Sequence, residues 1–207
     1  GQGGYEAGEP FSPEPTRVIA MALTPGVSKP AKIYNVLFLC TQNSARSIMA
    51  ECLLRRWSNG RFNAWSAGSR PSGTVNPFAI RTLQAFNHKT DTLRSKSWDE
   101  FAVAGAPVMD FIFTVCDNAA GEVCPVWPGQ PMTAHWGVED PAPAMAESEE
   151  KAIRAFRRVY VELESRIKIF ASLRVEGLDK LTLEKHLSRI GGEHASDDAL
   201  IQAGVNA

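Results

Sequence analysis

Apolar and polar positions alternate along this chain in blocks that predict strands and helices in turn. Residues 33–39 (IYNVLFL) form a short, β-rich apolar run, which is typical of a strand buried on both faces. Small and polar residues follow from 40 to 44, and from 46 to 57 the apolar residues recur at helical spacing. The first unit is therefore predicted to be a strand, a tight loop and a helix.

The same alternation continues through most of the chain. Further strands are predicted at residues 62–67, 109–115 and 133–136, and further helices at 76–86, 147–173 and 182–190, with a short helical turn at 99–102. Strands that alternate with helices indicate a parallel sheet that is joined by right-handed crossovers and covered on both faces. We therefore expect an α/β fold, a three-layer sandwich with a four-stranded parallel sheet.

Two end segments lie outside this pattern. Residues 1–32 contain Gly-Gly, Glu-Pro, Pro-Glu-Pro and Lys-Pro, and this composition predicts a disordered leader. Residues 33–172 hold the alternating elements and are predicted to form the folded domain. Residues 173–207 are predicted to be a C-terminal extension with a short helix and a polar tail.

Composition narrows the classes of protein to which the chain can belong. The formal net charge is -1, so we expect neither nucleic acid nor a membrane as a partner, and any anion site must be local. No apolar run reaches the roughly 18 residues of a membrane helix, and no secretory signal is recognisable, so a cytoplasmic location is expected. The 4 cysteines are too few for a disulfide framework. In a reducing compartment, disulfides are mostly catalytic or transient, so each cysteine is a candidate for chemistry.

Cys40 directly follows the first predicted strand, and Arg46 stands at the start of the first predicted helix. Ligands of open parallel sheets bind beyond the carboxyl ends of the strands, where this loop lies. A loop of this length can wrap one tetrahedral oxyanion with its main-chain N–H groups, aided by the helix N-terminus and the planar fork of Arg46. The predicted oxyanion-binding residues are Thr41, Gln42, Asn43, Ser44, Ala45, Arg46 and Ser47.

The same positive field is expected to hold Cys40 as a thiolate, because helix N-termini and nearby cations lower cysteine pKa values to roughly 3.5–7.5. Ser47 could donate a hydrogen bond to the sulfur, and Asn43 could brace the loop by bonding its backbone. The thiolate would then attack the phosphorus or arsenic atom of the bound anion. The alternative is a buried cysteine at a strand end beside an arginine in a surface ion pair.

These residues carry a resemblance to a known family. The run VLFLCTQNSARSIMAE resembles the active-site segment of the low-molecular-weight phosphotyrosine phosphatases and of the arsenate reductases that share their fold. The similarity extends over roughly residues 33–172, through SAGS, RSKSWDEF and FTVCDNAAGEVCPVWPG to Asp140-Pro141. The first segment is specific for the superfamily, and the later ones favour the reductase branch. The resemblance therefore implies thiol-dependent reduction of arsenate to arsenite, on a phosphatase-like catalytic domain.

The resemblance also implies a role for each reactive residue. Cys40 would be the nucleophile, Arg46 would bind the oxyanion, and Asp140, which precedes a proline as in the superfamily, would be the acid. Cys116 ends the third central strand and should emerge near Cys40, where it would resolve the arsenic adduct and leave a disulfide. Cys124 would then attack Cys116 and carry the oxidation to the surface.

An external thiol is expected to close the cycle, with thioredoxin, glutaredoxin and glutathione as candidates. No tightly bound cofactor is expected. In the three-cysteine reductases that use thioredoxin, the second and third cysteines stand one residue closer together than Cys116 and Cys124 do here, which leaves the donor open. Residues 117–123 contain two alanines and Gly121, so this loop is expected to flex during the exchange.

Two other functions stay open at this point. A tyrosine phosphatase would use the same loop, but it usually has tyrosines after the Asp-Pro pair, where this chain has Ala142 and Pro143. A thiol sensor would bind arsenite or a metal through Cys116 and Cys124, but His135 is the nearest further ligand, so no metal site is expected.

Residues behind the loop raise the question of a potassium ion. Glu51, Asn43 and Ser66 match positions at which some relatives brace the loop around potassium, although hydrogen bonding alone would also serve. Cys52 lies on the apolar face of the first helix and is expected to be a core residue. We expect a monomer that binds arsenate or phosphate and is reduced by a partner protein or small thiol.

Overall fold

The computed structural model describes residues 31–121, 125–193 and 197–204. Cys124 and residues 1–30 of the predicted leader lie outside the described residues. None of the helices in these ranges is both long enough and apolar enough to span a membrane. The strands are β1 (Tyr34–Cys40), β2 (Phe62–Gly68), β3 (Phe111–Thr114) and β4 (Met132–His135). The helices are α1 (Arg46–Trp57), α2 (Pro77–Ala85), α3 (Asp117–Ala120), α4 (Glu149–Ser172), α5 (Lys180–Gly191) and α6 (Asp197–Gln202).

The four strands form one parallel sheet in the order β2-β1-β3-β4. The register pairs Cys40 with Gly68, Leu39 with Thr114, and Thr114 with His135. The carboxyl ends of all four strands therefore lie side by side at one edge, which we call the carboxyl edge. This arrangement confirms the predicted α/β fold with a four-stranded parallel sheet.

Two apolar layers enclose the sheet. On one face, α1, α2, α4 and α5 pack into the larger core, and α4 inserts aromatic side chains such as Phe156, Tyr160 and Phe170. The opposite face carries Leu37, Leu39 and Ile112 and is covered by the connection after β2, including a 3₁₀ helix at Trp98–Phe101. The apolar side chains along one side of α4 thus pack against a continuous apolar face of the sheet, as the helical periodicity of this segment predicts.

The structure differs from the sequence-based expectations mainly in short elements. β1 ends at Cys40 itself, one residue later than predicted, because the main chain of Cys40 still pairs with Gly68. The first residues of the 117–123 loop, which was expected to flex, form the short helix α3. A 3₁₀ helix at Ala142–Ala146 follows the Asp-Pro pair. α6 lies within the predicted polar tail. Such short helices show too few turns for a periodic pattern to reveal them.

Arg166 fixes the chain that leads from β4 toward Asp140. This arginine of α4 is buried, and its guanidinium donates to the carbonyl oxygens of Trp136 and Gly137, each at 2.9 Å. The same group donates to a carboxylate oxygen of Glu162 at 2.7 Å. Because a buried arginine needs its charge and its donors satisfied, this set of partners holds the residues after β4 in one conformation.

Helix α5, in the predicted C-terminal extension, belongs to the same core. Leu183, Leu187 and Ile190 are buried in the larger apolar cluster, and the indole nitrogen of Trp136 donates to the carbonyl oxygen of Leu187 at 3.0 Å. The division of the chain after residue 172 stays a prediction, but the packing of α5 couples this helix to the sheet.

This coupling predicts a difference between two leucines of α5. Leu187→Ala should lower the free energy of unfolding by about 2–5 kcal/mol, because it opens a cavity in the core. Leu181→Ala, on the exposed side of the same helix, should change it by at most about 0.5 kcal/mol. Urea denaturation of the purified variants measures both values, and equal effects would show that α5 is not part of the core.

Candidate active site

The loop after β1 is held in place by hydrogen bonds to its main-chain carbonyl oxygens. The segment after β2 runs alongside it and donates main-chain N–H groups to three of its oxygens: Arg70 to Thr41 (2.9 Å), Ser72 to Gln42 (2.9 Å) and Asn76 to Ser44 (2.8 Å). The hydroxyl of Ser95 donates to the oxygen of Gln42 as well. Because these oxygens point outward, the loop can turn its N–H groups toward its own centre, as an anion cradle requires.

Gly68 permits this close approach at the end of β2. A Cβ atom at this position would lie 2.5 Å from the carbonyl oxygen of Thr41 and 2.9 Å from the main-chain nitrogen of Asn43. Asn43 itself has a φ of 44°, a left-handed conformation that asparagine tolerates better than most residues. The curved shape of the loop therefore depends on the absence of a Cβ atom at Gly68 and on the left-handed backbone conformation of Asn43.

Cys40 lies at the floor of this cradle. Its sulfur is 2.9 Å from the hydroxyl of Ser47 and accepts a hydrogen bond from the main-chain N–H of Asn43 at 3.2 Å. Burial raises the pKa of the Cys40 thiol above its ordinary value, with the hydrogen bonds from Ser47 and Asn43 opposing burial and the proximity of Cys116 adding to it. The enclosure of the sulfur thus opposes the lowering of this pKa that the sequence predicted.

Arg46 forms the opposite wall with the segment after β4. Its guanidinium donates to the carbonyl oxygen of Val138 at 3.1 Å and lies 3.3 Å from a carboxylate oxygen of Asp140. The other oxygen of Asp140 accepts from the main-chain N–H of Ala142 at 3.1 Å, at the start of the 3₁₀ helix. The predicted acid and the predicted anion-binding arginine thus face each other, and part of the arginine charge is already balanced.

The first turn of α1 is open toward the cradle. No side chain of the described residues caps this end, where Ala45 occupies the cap position. The free N–H groups and the partial positive charge of the helix N-terminus are therefore available to an anion.

The side chain of Asn43 braces the loop in a way that the sequence did not predict. Its amide nitrogen donates to the hydroxyls of Ser47 (2.9 Å) and Ser66 (3.0 Å), and its oxygen accepts from the main-chain N–H of Lys96 (2.8 Å). The expected bond to the backbone of the Cys40 loop is replaced by bonds to β2 and to a segment 53 residues away. Asn43 therefore ties the loop to the body of the domain.

A cavity of about 380 Å³ opens above Cys40. Sequence reasoning named most of its lining but missed Arg70, Asn76 as a lining residue, and Asn118. All three lie shortly after strands that end at the carboxyl edge, and this position was the available signal. The complete lining is Cys40, Thr41, Gln42, Ser44, Ala45, Arg46, Arg70, Asn76, Asn118, Asp140 and Ala142.

The other cysteines are in different situations. Cys116 follows β3, belongs to the same buried cluster as Cys40 on one face of the sheet, and has its sulfur 3.8 Å from the hydroxyl of Thr41. Cys124 lies outside the described residues. Burial raises the pKa of Cys52 to about 12, so this helix cysteine stays a thiol. Among the described cysteines, Cys40 and Cys116 are thus the two that flank the loop.

His135 ends β4 at the same edge. Its ring nitrogens lie 2.9 Å from the hydroxyl of Thr114 and 2.9 Å from a carboxylate oxygen of Asp117. These bonds give the ring a structural role beside α3. Across the part of the chain that the structure describes, no group of three or more His, Cys, Asp and Glu residues could hold a metal ion.

Comparisons with known proteins agree with this geometry. Residues 35–184 match the family model described as low molecular weight phosphotyrosine protein phosphatase. The chain is 38% identical over 136 residues to an arsenate reductase of Halalkalibacterium halodurans, covering 66% of this chain and 94% of that protein.

Two solved structures are also similar. An arsenate reductase from Archaeoglobus fulgidus has a TM-score of 0.52 and 30% identity, covering 67% of this chain and 99% of that one. A structure described as an arsenate reductase in the phosphate binding state has a TM-score of 0.55 and 26% identity, covering 68% and 98%.

The role of Gly68 predicts a selective loss of anion binding. Gly68→Ala should raise the phosphate dissociation constant at least about tenfold, or about 1.4 kcal/mol, because the new methyl group displaces the Cys40 loop. Gly177→Ala is the matched control, since no atom lies within 4 Å of its added Cβ. Isothermal titration with phosphate measures both, and unchanged affinity in Gly68→Ala would contradict the cradle described above.

Proposed function

The chain belongs to the low-molecular-weight phosphotyrosine protein phosphatase family, and on that premise we propose that it is an enzyme that reduces arsenate to arsenite through its thiols. One observation carries the proposal: Cys40 and Cys116 lie on one face of the sheet, beside a loop shaped for a tetrahedral oxyanion. A hydrolytic enzyme needs one nucleophile, whereas reduction by thiols needs a second sulfur within reach of the first.

Arsenate binds first, in the cradle of residues 41–47. Main-chain N–H groups, the open end of α1 and the guanidinium of Arg46 surround its oxygens. The sulfur of Cys40 attacks arsenic, and the proton of its thiol passes to an arsenate oxygen. A sulfur–arsenic bond forms and an arsenic–oxygen bond breaks. Asp140 protonates the departing oxygen, which leaves as water.

Reduction follows in the second step. The sulfur of Cys116 attacks the sulfur of Cys40 and its proton passes to an oxygen of the departing arsenite, so that a disulfide forms and the sulfur–arsenic bond breaks. The electron pair of the broken bond stays on arsenic, so the oxidation state of arsenic changes from +5 to +3. The two sulfurs lose the two electrons that arsenic gains, and arsenite leaves.

An external thiol then restores the enzyme. Cys124 attacks Cys116, which leaves a disulfide between Cys116 and Cys124 and frees Cys40. A reductant of the thioredoxin, glutaredoxin or glutathione class then reduces that disulfide. The cycle suits the reducing cytoplasm, where such thiols are abundant. Since every residue that we assign belongs to one chain, a monomer suffices for it.

The main alternative is hydrolysis of phosphate monoesters by the same loop. The family description and the pairing of Cys40 with Asp140 around one cavity favour it. However, the cavity lining includes no aromatic side chain within the described residues, so nothing there would stack on a phosphotyrosine ring. We therefore expect any phosphatase activity to be a side reaction.

Removing the second thiol separates the two reactions. Cys116→Ser should reduce arsenate turnover to the protein-free level, because it removes the sulfur that attacks Cys40, while hydrolysis of an aryl phosphate persists. Cys52→Ala should keep wild-type turnover, since that cysteine does not line the cavity above Cys40. Turnover is measured as arsenite formed with thioredoxin, glutaredoxin and glutathione in turn. Normal arsenate reduction by Cys116→Ser would refute the relay.

Mass spectrometry tests the chemistry directly. One equivalent of arsenate without reductant should leave a disulfide between two of Cys40, Cys116 and Cys124, with the loss of two hydrogens. A sensor that binds arsenite or metal would show an adduct and no disulfide. Peptide mapping after trapping identifies the pair.

The acid role of Asp140 gives an independent prediction. Asp140→Asn should lower kcat for arsenate about 10²–10⁴-fold, because the leaving oxygen loses its proton donor. Phosphate affinity should change far less, since Arg46 and the loop remain. Glu139→Gln, at the neighbouring exposed carboxylate, serves as the control. Single-turnover rates by rapid quench measure the effect, and an unchanged rate would remove Asp140 from the mechanism.

A further inference from the structure

A buried cluster of charges lies behind the Cys40 loop. The ammonium group of Lys96 is 3.3 Å from one carboxylate oxygen of Glu51 and 3.3 Å from the hydroxyl of Ser66. The other carboxylate oxygen of Glu51 is 2.5 Å from the guanidinium of Arg55. Lys96 and Glu51 are both buried, so neither charge is screened by water. Lysine is rarely buried unless it is paired, so this placement calls for a specific reason.

The cluster is connected to the reactive sulfur through hydrogen bonds. Ser66 donates to Glu51 and accepts from the amide of Asn43, which also donates to Ser47, the hydroxyl beside Cys40. The main-chain N–H of Lys96 bonds the oxygen of the same asparagine. Lys96 therefore touches this network twice, once through its backbone and once through its ammonium group.

A potassium ion does not fit this cluster. Glu51 and Ser66 are two of the three residues that the resemblance assigned to potassium, and their oxygens are the ones that the ammonium group contacts. The carboxylate already faces two cations, Lys96 and Arg55, so a further cation would add repulsion in a region of low dielectric. The carbonyl oxygen of Arg94, 3.4 Å from the ammonium group, is occupied by it as well.

We infer that the ammonium group of Lys96 acts as a built-in cation, which positions Asn43 and the Cys40 loop and makes the chain independent of potassium. Lys96 is a positioning residue, because it reaches the sulfur only through Ser66, Asn43 and Ser47. The inference deepens the proposed function, on which its kinetic readout rests, while its binding readout needs only the loop.

Wild-type protein provides the first test. Exchange of potassium for sodium or choline at equal ionic strength should leave the melting temperature, the phosphate dissociation constant and kcat/KM for arsenate unchanged. A gain in any of these that is specific to potassium would overturn the inference. This measurement needs no variant, so it stands even where substitutions at position 96 impair folding.

A pair of substitutions provides the second test. Lys96→Ala and Lys96→Met both remove the charge, and each should lower kcat/KM about 10- to 100-fold, since misplacing a reacting group by about 1 Å costs about 10²-fold. Only alanine leaves room for an ion. Potassium should therefore restore most of the activity and phosphate affinity of Lys96→Ala, and none of that of Lys96→Met. Lys151→Ala, which removes an exposed ion pair with Glu147, should behave as the wild type.

The outcomes separate a positioning role from a merely structural one. Loss of activity in both variants without rescue of Lys96→Ala by potassium would overturn the inference, as would normal activity in both. Phosphate titration follows the same pattern in the absence of any redox chemistry. If phosphate binding shows the potassium rescue but no protein in the series reduces arsenate, the proposed function fails and the role of Lys96 stands.

Discussion

The site depends on one constraint: the carbonyl oxygens of Thr41, Gln42 and Ser44 are held by hydrogen bonds from outside the loop. A peptide unit carries its N–H and C=O groups on opposite sides, so a loop whose oxygens are held from outside presents its donors inward. The segment from Arg70 to Asn76 supplies that hold through its own backbone. The cradle therefore needs small side chains and a glycine at position 68, and it does not need large side chains reaching around the anion.

The parallel sheet supplies the second requirement, which is convergence. Strand ends that lie side by side bring Cys40, Cys116 and His135 to one edge although they are far apart in sequence. The buried Arg166 fixes the turn after β4, and this turn presents Asp140 to Arg46. The proposed nucleophile Cys40 and the proposed anion-binding Arg46 share the connection after β1, whereas the proposed acid Asp140 lies on the connection after β4, and both connections are anchored to the same core.

Local patterns were sufficient to predict the central part of this arrangement. The run of strand, small polar loop and helix around Cys40 is contiguous in the chain, so the place of Cys40 at the end of β1 could be predicted from the sequence. The meeting of Cys116 with that loop followed from the rule that parallel strands end together.

The rest depends on contacts between distant residues. Asn43 bonds Ser66 in β2 and the main chain of Lys96, which is 53 residues away, and no periodic pattern in the sequence predicts these contacts. The direction of the Cys40 pKa also escaped prediction, because it reflects how completely the folded chain encloses the sulfur. The 3₁₀ helix after Pro141 and α3 were missed for a simpler reason, which is their length.

The enclosure of the Cys40 sulfur also affects how readily an oxidant can reach this cysteine. Peroxides attack exposed thiolates, and oxidation beyond the sulfenic acid is not reversed by ordinary thiols. Cys40 is only 4% exposed. A peroxide can therefore approach this sulfur only through the cavity that Cys40 lines, so the same walls that hold an oxyanion also limit the access of oxidants.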